Sequence, residues 1–482
     1  MGTGRAVRIG CVIAGSFGVA AGSAVSAATL VASYVLMGEG GVRIARVITS
    51  APQCPLLSLD GRKAPMHVRA PAATIPQRAT ISSPEDSKPT AFPVLTCEAT
   101  IPASVGAASV EGRPLPLPPA VIRRIVVIGD TGCRLKVLDK AFQSCNDPKA
   151  YPFAQVAAAA AQWKPDLVVH VGDFLYRENA CPVDRPGCAG SPWGYGADAW
   201  QADFFTPAEP LLRTAPLALA RGNHESCARG GQGWWRFLDV RELMDGRDCN
   251  DPAYDAVGDF SDPYAIPLGD DAQLVMFDSS DTPGKPLADG DIRAARYRDA
   301  YAKIAALAAG SPHNILVNHH PILGFAAKQD AAGQVTLEPG NRGLQSVFGA
   351  LNPATLLPAG IELSLAGHVH LWEQVSYSTD HATQFIAGFS GTLEDIVPLP
   401  PQPPADATPA KDAVVRSMSS WVDGFGFMTM ERRGREQWLV QVHNVAGTVV
   451  NTCQVKGRQA DCVVARVAPV VEIPHPGDLR AH

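Results

Sequence analysis

The rhythm of apolar and polar positions divides the chain into parts of different texture. From Gly38 to about Pro119, short apolar runs such as FPVLT and ASVEG are interrupted by Pro, Thr and Ser and show little helical periodicity, which predicts a small β-rich N-terminal region. It closes on RPLPLPPA, residues 113–120, whose prolines cannot continue a helix or a central strand, so a linker is expected there. Beyond it the texture changes. RIVVIGD (Arg124 to Asp130) and DLVVHVGD (Asp166 to Asp173) are β-branched runs that read as buried strands, and AQVAAAAAQW (Ala154 to Trp163) between them is a strong helix former, so the three make a β-α-β unit. PLALARGNHE, AQLVMFDSS, NILVNHH and IELSLAGHVH read as further strands. The apolar residues of DIRAARYRDAYAKIAALAAG recur every three or four positions as in a helix, and RGLQSVFGAL is a second such segment. QFIAGFSG, FGFMTMERR and QWLVQVHNV read as strands closing a second sheet. PLPPQPPADATPA (Pro398 to Ala410) is expected to be a surface loop.

The extreme N-terminus, MGTGRAVR, holds two arginines and no acid, and an uncharged stretch runs from Ile9 to Met37. That pattern marks an export segment, and its length suffices to span a bilayer as a helix. Residues 1–37 are therefore expected to be a signal peptide or a membrane anchor. Small residues from Ser23 to Thr29 suit a signal peptidase, whereas LVASYVLM behind them suits an anchor. No paired arginine precedes the segment, which favours general secretion.

Composition narrows the function. Lys plus Arg is 41 and Asp plus Glu is 47, a net charge of -6, which excludes a nucleic-acid binder with a broad basic face. With 46% hydrophobic residues, 44 Gly and 41 Pro, the 482-residue chain is folded and rich in loops. Of eleven cysteines, Cys11 lies in the export stretch. The other ten fall into sequence neighbours, Cys54 with Cys97, Cys133 with Cys145, Cys181 with Cys188, Cys227 with Cys249 and Cys453 with Cys462, allowing up to five bridges in an oxidising compartment. No C-x-x-C supports a structural zinc site.

Candidate chemistry gathers at strand ends. Five predicted strands stop at an Asp, Asn or His beside a glycine or a second polar residue: GDTG (129–132), GDFLY (172–176), GNHE (222–225), NHHP (318–321) and GHVH (367–370). In an α/β sheet the carboxyl ends of the strands share one edge, where ligands bind. Two Asp, one Asn, a Tyr and several His collected there supply oxygen and imidazole donors for about two metal ions. The glycines let the backbone turn sharply off each strand.

In these motifs the chain resembles the calcineurin-like metallophosphoesterases and, within them, the purple acid phosphatases, which carry D-x-G, G-D-x-x-Y, G-N-H-[D/E], a strand-end His and G-H-x-H. Over about Val121 to Gly391, all five stand in this sequence. The resemblance implies an α/β fold of two packed mixed β-sheets flanked by helices; the expected division of the chain is a β-rich region at 38–120, a catalytic domain over residues 121–455 and a C-terminal tail at 456–482. It implies one metal held by Asp130, Asp173, Tyr176 and His370 and a second by Asp173, Asn223, His319 and His368, with Asp173 bridging. Placing the family's His two residues before Pro321 selects His319 over His320, which would face the substrate or pack away. His224 corresponds to the acid that protonates the leaving oxygen, and would be a cation near pH 6. Tyr176 implies ferric iron in its site with iron, zinc or manganese in the other, the alternative being two divalent ions. Two cations would hold the phosphate and acidify water for in-line attack on phosphorus.

The expected function is an exported phosphatase of phosphate monoesters, with a small-molecule substrate, no nucleic-acid scaffold role and membrane contact only through an N-terminal anchor. A phosphodiesterase or nucleotide-processing enzyme, and a binding protein that has kept only the fold, are the competing readings. Arg221 and Arg134 adjoin motifs and could reach a phosphate, whereas His170, His313, His381 and His443 are expected to be structural or exposed, and Trp234 and Trp235 to pack.

Overall fold

A β-branched run without polar alternation needs apolar neighbours on both faces, and Arg124–Ile128 finds them: Ile125 and Val127 enter one apolar cluster, Val126 and Ile128 another. The computed structural model describes residues 1–4, 29–269, 271–393, 397, 399 and 408–464. In it this strand lies inside an eleven-stranded mixed sheet, parallel to Leu167–His170, beyond which run Leu217–Leu219 and Leu30–Met37, also parallel. A second, seven-stranded sheet has four parallel strands at its centre, Ala272–Met276, His313–Val317, Ile361–Ala366 and Thr383–Ala387. The two sheets face each other across a core that includes Val127, Val169, Leu274, Val317, Leu365 and Met428. The outer face of the first is covered by the helix Phe153–Gln162 and an aromatic cluster around Trp200, Phe204 and Trp235. The outer face of the second is covered by Ile292–Ala308 and Arg342–Leu351, capped by the side chains of Asp291 and Asn341. Two packed mixed sheets with flanking helices are the architecture expected from the sequence.

Several expectations need correction. Leu30–Met37, read as the end of the export stretch, is a strand between Leu217–Leu219 and Arg43–Thr49. Its apolar character answers to burial in protein: Tyr34, Val35 and Leu36 are inaccessible, and the Tyr34 hydroxyl donates to the Phe237 carbonyl at 2.7 Å. The rest of the export stretch, with Cys11, lies outside the described residues, as does most of the expected loop at 398–410.

The N-terminal region is only partly separate. Arg43–Thr49, Leu95–Ile101 and His67–Ala70 extend the main sheet antiparallel, while Leu56–Leu59, Arg62–Pro65, Ala108–Val110 and Arg113–Leu115 form a small sheet. The start of the expected linker is thus an edge strand, where Pro114 is tolerated. Gly426–Arg432 and Gln437–Asn444 belong to the first sheet rather than the second, because Gly426–Arg432 pairs antiparallel with Arg124–Ile128. Gln459–Val464 continues that sheet beyond the expected domain end.

All five cysteine pairs foreseen from spacing are disulfides. They fit an oxidising compartment. Among the described residues no helix is long and apolar enough to cross a membrane.

If Leu30–Met37 is a structural strand, a chain beginning at Thr29 should give soluble protein with a cooperative thermal transition. A chain beginning at Gly38 should aggregate on expression, because it lacks a strand interior to the sheet. Equal melting temperatures for the two would refute this.

Candidate metal centre

The parallel strands end on one edge, and the chain leaves them in an uncommon conformation. Asp130, Asp173 and His368 have φ of 54°, 59° and 70°, the left-handed region, which costs an L-residue about 1–2 kcal/mol. Such backbone persists only where its surroundings fix it. Glu225, fully buried, does much of this: Oε1 accepts from the N–H of Phe174 and Leu175, and Oε2 from those of Asp173 and Gly222, at 2.8 to 3.2 Å. Asp203 does the same between the first two motifs, accepting from the backbone of Cys133, Tyr176 and Arg177 and from the Arg177 side chain. Sequence reading missed Asp203, which carries no motif, and gave Glu225 no role.

These loops deliver the predicted donors to one place. The Tyr176 hydroxyl lies 2.8 Å from Asp130 Oδ1, 3.0 Å from Asp173 Oδ2 and 3.1 Å from His370 Nε2. On the other side of Asp173, Oδ2 is 3.1 Å from His319 Nε2, which is 3.1 Å from Asn223 Oδ1, and that oxygen is 3.1 Å from His368 Nδ1. Adjacent donors on a cation with bonds of about 2.0–2.2 Å stand roughly 3 Å apart, so both groups have the spacing of a coordination shell. Asp173 Oδ2 belongs to both. The imidazoles are turned suitably: His319 Nδ1 donates to the Val171 carbonyl at 2.9 Å and His370 Nδ1 to that of Leu393 at 3.0 Å, which leaves each Nε2 lone pair pointing inward.

His319, not His320, meets Asp173 and Asn223. His320 Nδ1 engages Ser279 Oγ at 3.3 Å and its ring packs on His368, although its ligand atom is near enough to those of His319 and His368 to share an ion.

Electrostatics mark the centre as a place for positive charge. Burial works against the Asp173 carboxylate, yet His319 beside it holds it well below the usual carboxylate range. Burial likewise opposes a His319 cation, but Asp173 outweighs it and pushes His319 up to about 9. Desolvation within the site and then the His319 charge lower the pKa of His368, although the residue is exposed on its cleft side, so its ring is a neutral donor. The Tyr176 phenol is raised well above its ordinary value by burial and by Asp130 and Asp173. Two carboxylates, an amide oxygen, a phenol and three imidazoles suit two borderline-to-hard cations.

His224 borders the same space, its Nε2 3.8 Å from Asp173 Oδ2. Its Nδ1 faces the Leu175 carbonyl and Glu178 Oε1, both at 3.1 Å. Glu178 is buried, pairs with Arg229 and accepts from Tyr195 at 3.0 Å. Glu178 and Arg229 were missed in the sequence; the only available signal was the place of Glu178 two residues after Tyr176. Burial and the adjacent Arg229 lower the pKa of His224, opposed by Asp173 and Glu178, so its cation belongs to a lower pH than the sequence suggested.

Arg221 does not reach the centre. Buried, it donates to the carbonyls of Glu225 and Gly258 and pairs with Asp259, a structural role. Arg134 lines the cleft of about 620 Å³ that opens onto Tyr176, Asn223, His224 and His370, with Asp139 as its partner. His170 stacks on Phe174 and bonds Thr131, and Trp234 and Trp235 are in the core.

The family model for calcineurin-like phosphoesterases matches residues 123–371. Among solved structures, the chain is similar to a purple acid phosphatase isolated from yellow lupin (Lupinus luteus) seeds, with 14% identity, a TM-score of 0.49, and coverage of 90% of this chain and 74% of that one. It is also similar to PhoD, with 9% identity, a TM-score of 0.47, and coverage of 91% and 93%. No curated protein matches by sequence.

The closeness of the second and third motifs gives a test away from the donors. A Cβ at Gly222 would lie 2.0 Å from Asp173 Oδ1 and 2.3 Å from its nitrogen. Gly222→Ala should therefore weaken metal binding by roughly tenfold or more, read as metal retained on dialysis, while the circular dichroism spectrum stays native. Full metal retention would show that the two loops can part without cost.

Proposed function

The chain belongs to the calcineurin-like phosphoesterase family, and from that premise we propose that it is an exported phosphatase that hydrolyses phosphate monoesters with two metal ions. The observation that carries the reading is the sharing of Asp173 Oδ2 between two donor groups, each with its members about 3 Å apart. Asp130, Asp173, Tyr176 and His370 would hold one ion, and Asp173, Asn223, His319 and His368 the other. When bound, the ions neutralise phosphate oxygens and acidify water.

The chain's own groups account for the remaining steps. Asp173 would fix the separation of the two sites, because its Oδ2 belongs to both donor groups. His224 lines the cleft with Nδ1 turned to Glu178 and the Leu175 carbonyl and with Arg229 Nη2 2.5 Å from both ring nitrogens, and a proton on Nε2 would pass to the departing alcohol oxygen. Glu178 stabilises that protonated ring and Arg229 opposes it, so the acid form is present below the ordinary imidazole value and is lost as pH rises. An acidic working range follows. Glu225 and Asp203 keep the loops in register without joining the donors. The five disulfides favour a location outside the cytoplasm.

Ferric iron is the proposed occupant of the Tyr176 site. A phenol, with an ordinary pKa of about 10, gives up its proton at neutral pH only to a strongly acidic cation, and ferric iron is more acidic than the common divalent ions.

Asp173→Ala is expected to lose bound metal and turnover together. His224→Ala should keep metal while kcat falls by roughly a hundredfold or more, most for poor leaving groups, with loss of the decline in rate as pH rises. Full activity of His224→Ala at every pH would remove its role. Preference for a chromogenic diester over the matching monoester would overturn the monoester reading.

The oxidised wild-type protein should absorb visible light and contain iron, and Tyr176→Phe should abolish the colour while some hydrolysis persists. A colourless, iron-free wild type fully active with manganese or zinc would remove the ferric assignment and leave the phosphoesterase reading standing.

A further inference from the structure

A β-hairpin, Phe325–Gln329 with Val335–Pro339, stands as a wall between the cleft over the metal donors and a second one of about 630 Å³. His368 and Val369 line both clefts, so the two adjoin at a candidate metal donor. Among the described residues, the second cleft carries Lys285, Lys328 and Arg342 against a single acid, Glu338, in a chain whose net charge is -6. Lys328 is paired with Glu338 at 2.6 Å. Lys285 and Arg342 are exposed and have no acidic partner among the described residues, so their charge faces the cleft uncompensated.

Their positions are tied to the metal donors. The Asn341 N–H donates to the carbonyl of Pro321, two residues after His319, at 2.7 Å, and Asn341 Oδ1 accepts from Thr282 Oγ1 at 2.9 Å. Gly343 completes the joint: a Cβ there would lie 2.6 Å from the Pro283 carbonyl, so only glycine allows the two segments to approach. The backbones that bear Lys285 and Arg342 are thereby fixed to each other and to the loop that carries His319.

Resting on the phosphatase reading, we propose that the preferred substrates are phosphate esters whose alcohol carries a second phosphate group, held by Lys285 and Arg342 while the first lies at the metal centre. A simple alkyl or aryl phosphate leaves those two cations unused. A dianion near two cations gains enough attraction to change affinity by about tenfold at low salt, and the gain shrinks as salt screens it.

Alkane bisphosphonates and alkylphosphonates, which are not hydrolysed, read the second cleft apart from catalysis. Calorimetric titration of the metal-loaded protein with hexane-1,6-diylbisphosphonate should give binding about tenfold tighter than hexylphosphonate, with an optimum when the chain length between the phosphonates is varied. In the double variant Lys285→Ala/Arg342→Ala the two ligands should bind equally, and charge reversal to Glu should invert the order. Hydrolysis of 4-nitrophenyl phosphate should be unchanged in both variants, and kcat/KM for hexane-1,6-diol bisphosphate should fall to that of hexyl phosphate. Equal binding in the wild type, or a preference that survives the double variant, would overturn the proposal. Preferential bisphosphonate binding by a metal-loaded protein that hydrolyses no ester would defeat the phosphatase reading and leave the second anion site standing.

Discussion

Two buried carboxylates, Asp130 and Asp173, meet at one phenol hydroxyl, and the rest of the structure answers to the negative charge brought together there. Buried carboxylates cannot remain ionised side by side unless positive charge or hydrogen-bond donors stand close. In this protein the nearest answer is His319, whose ring is pushed up to about 9 by Asp173. Cations at the two donor groups would be a stronger one. The other acids nearby are spent elsewhere: Glu225 on four backbone N–H groups, Asp203 on three and Arg177, and Glu178 on Arg229. Each is thereby withdrawn from competition for an ion and made to hold a loop. Acidic residues thus serve two purposes within a few residues of one another, and their hydrogen-bond partners decide which.

The N-terminal strands are part of the same support. Arg46 and Arg69, on the strands either side of the one that bears Glu98, pair with it and donate to the carbonyls of Trp235, Phe237 and Asp239. That segment follows Arg229, which touches His224. A buried ion pair contributes little net stability by itself, but breaking it leaves an uncompensated charge, so these strands and the loop of the third motif must be in place together. The region is not an appendage to the catalytic sheet.

What the sequence disclosed follows from the range of the interactions involved. The donors were legible because each sits within a few residues of the end of a strand, where a short motif records both the turn and the ligand. The disulfides were legible because their partners are near in sequence, 7 to 43 residues apart. Leu30–Met37 was misread because an apolar run looks the same whether lipid or two protein layers cover it. Gly426–Arg432 was given to the wrong sheet because its pairing with Arg124–Ile128 spans the length of the catalytic region. Arg221 misled by adjacency. It precedes Gly222 and Asn223, but it turns toward Asp259 and Asp278 instead of the donors. Asp203 and Arg229 left no trace, since a buried partner of a backbone amide or of another side chain has no fixed sequence distance from it.

The placement of the disulfides connects compartment to chemistry. Cys133 stands three residues after Asp130, Cys181 five after Tyr176 and Cys227 four after Asn223, so each of the first three motifs is followed at once by a bridge. Left-handed backbone at Asp130 and Asp173 opposes the preference of an L-residue, and a free loop would relax it. A bridge closing a short loop removes unfolded alternatives worth about 2–4 kcal/mol, comparable with the strain at one such residue. In a reducing compartment that constraint would be absent, and the loops would depend on their hydrogen bonds, those to Glu225 and Asp203 among them. The cross-links that fit an oxidising compartment thus also close the loops that follow Asp130, Tyr176 and Asn223.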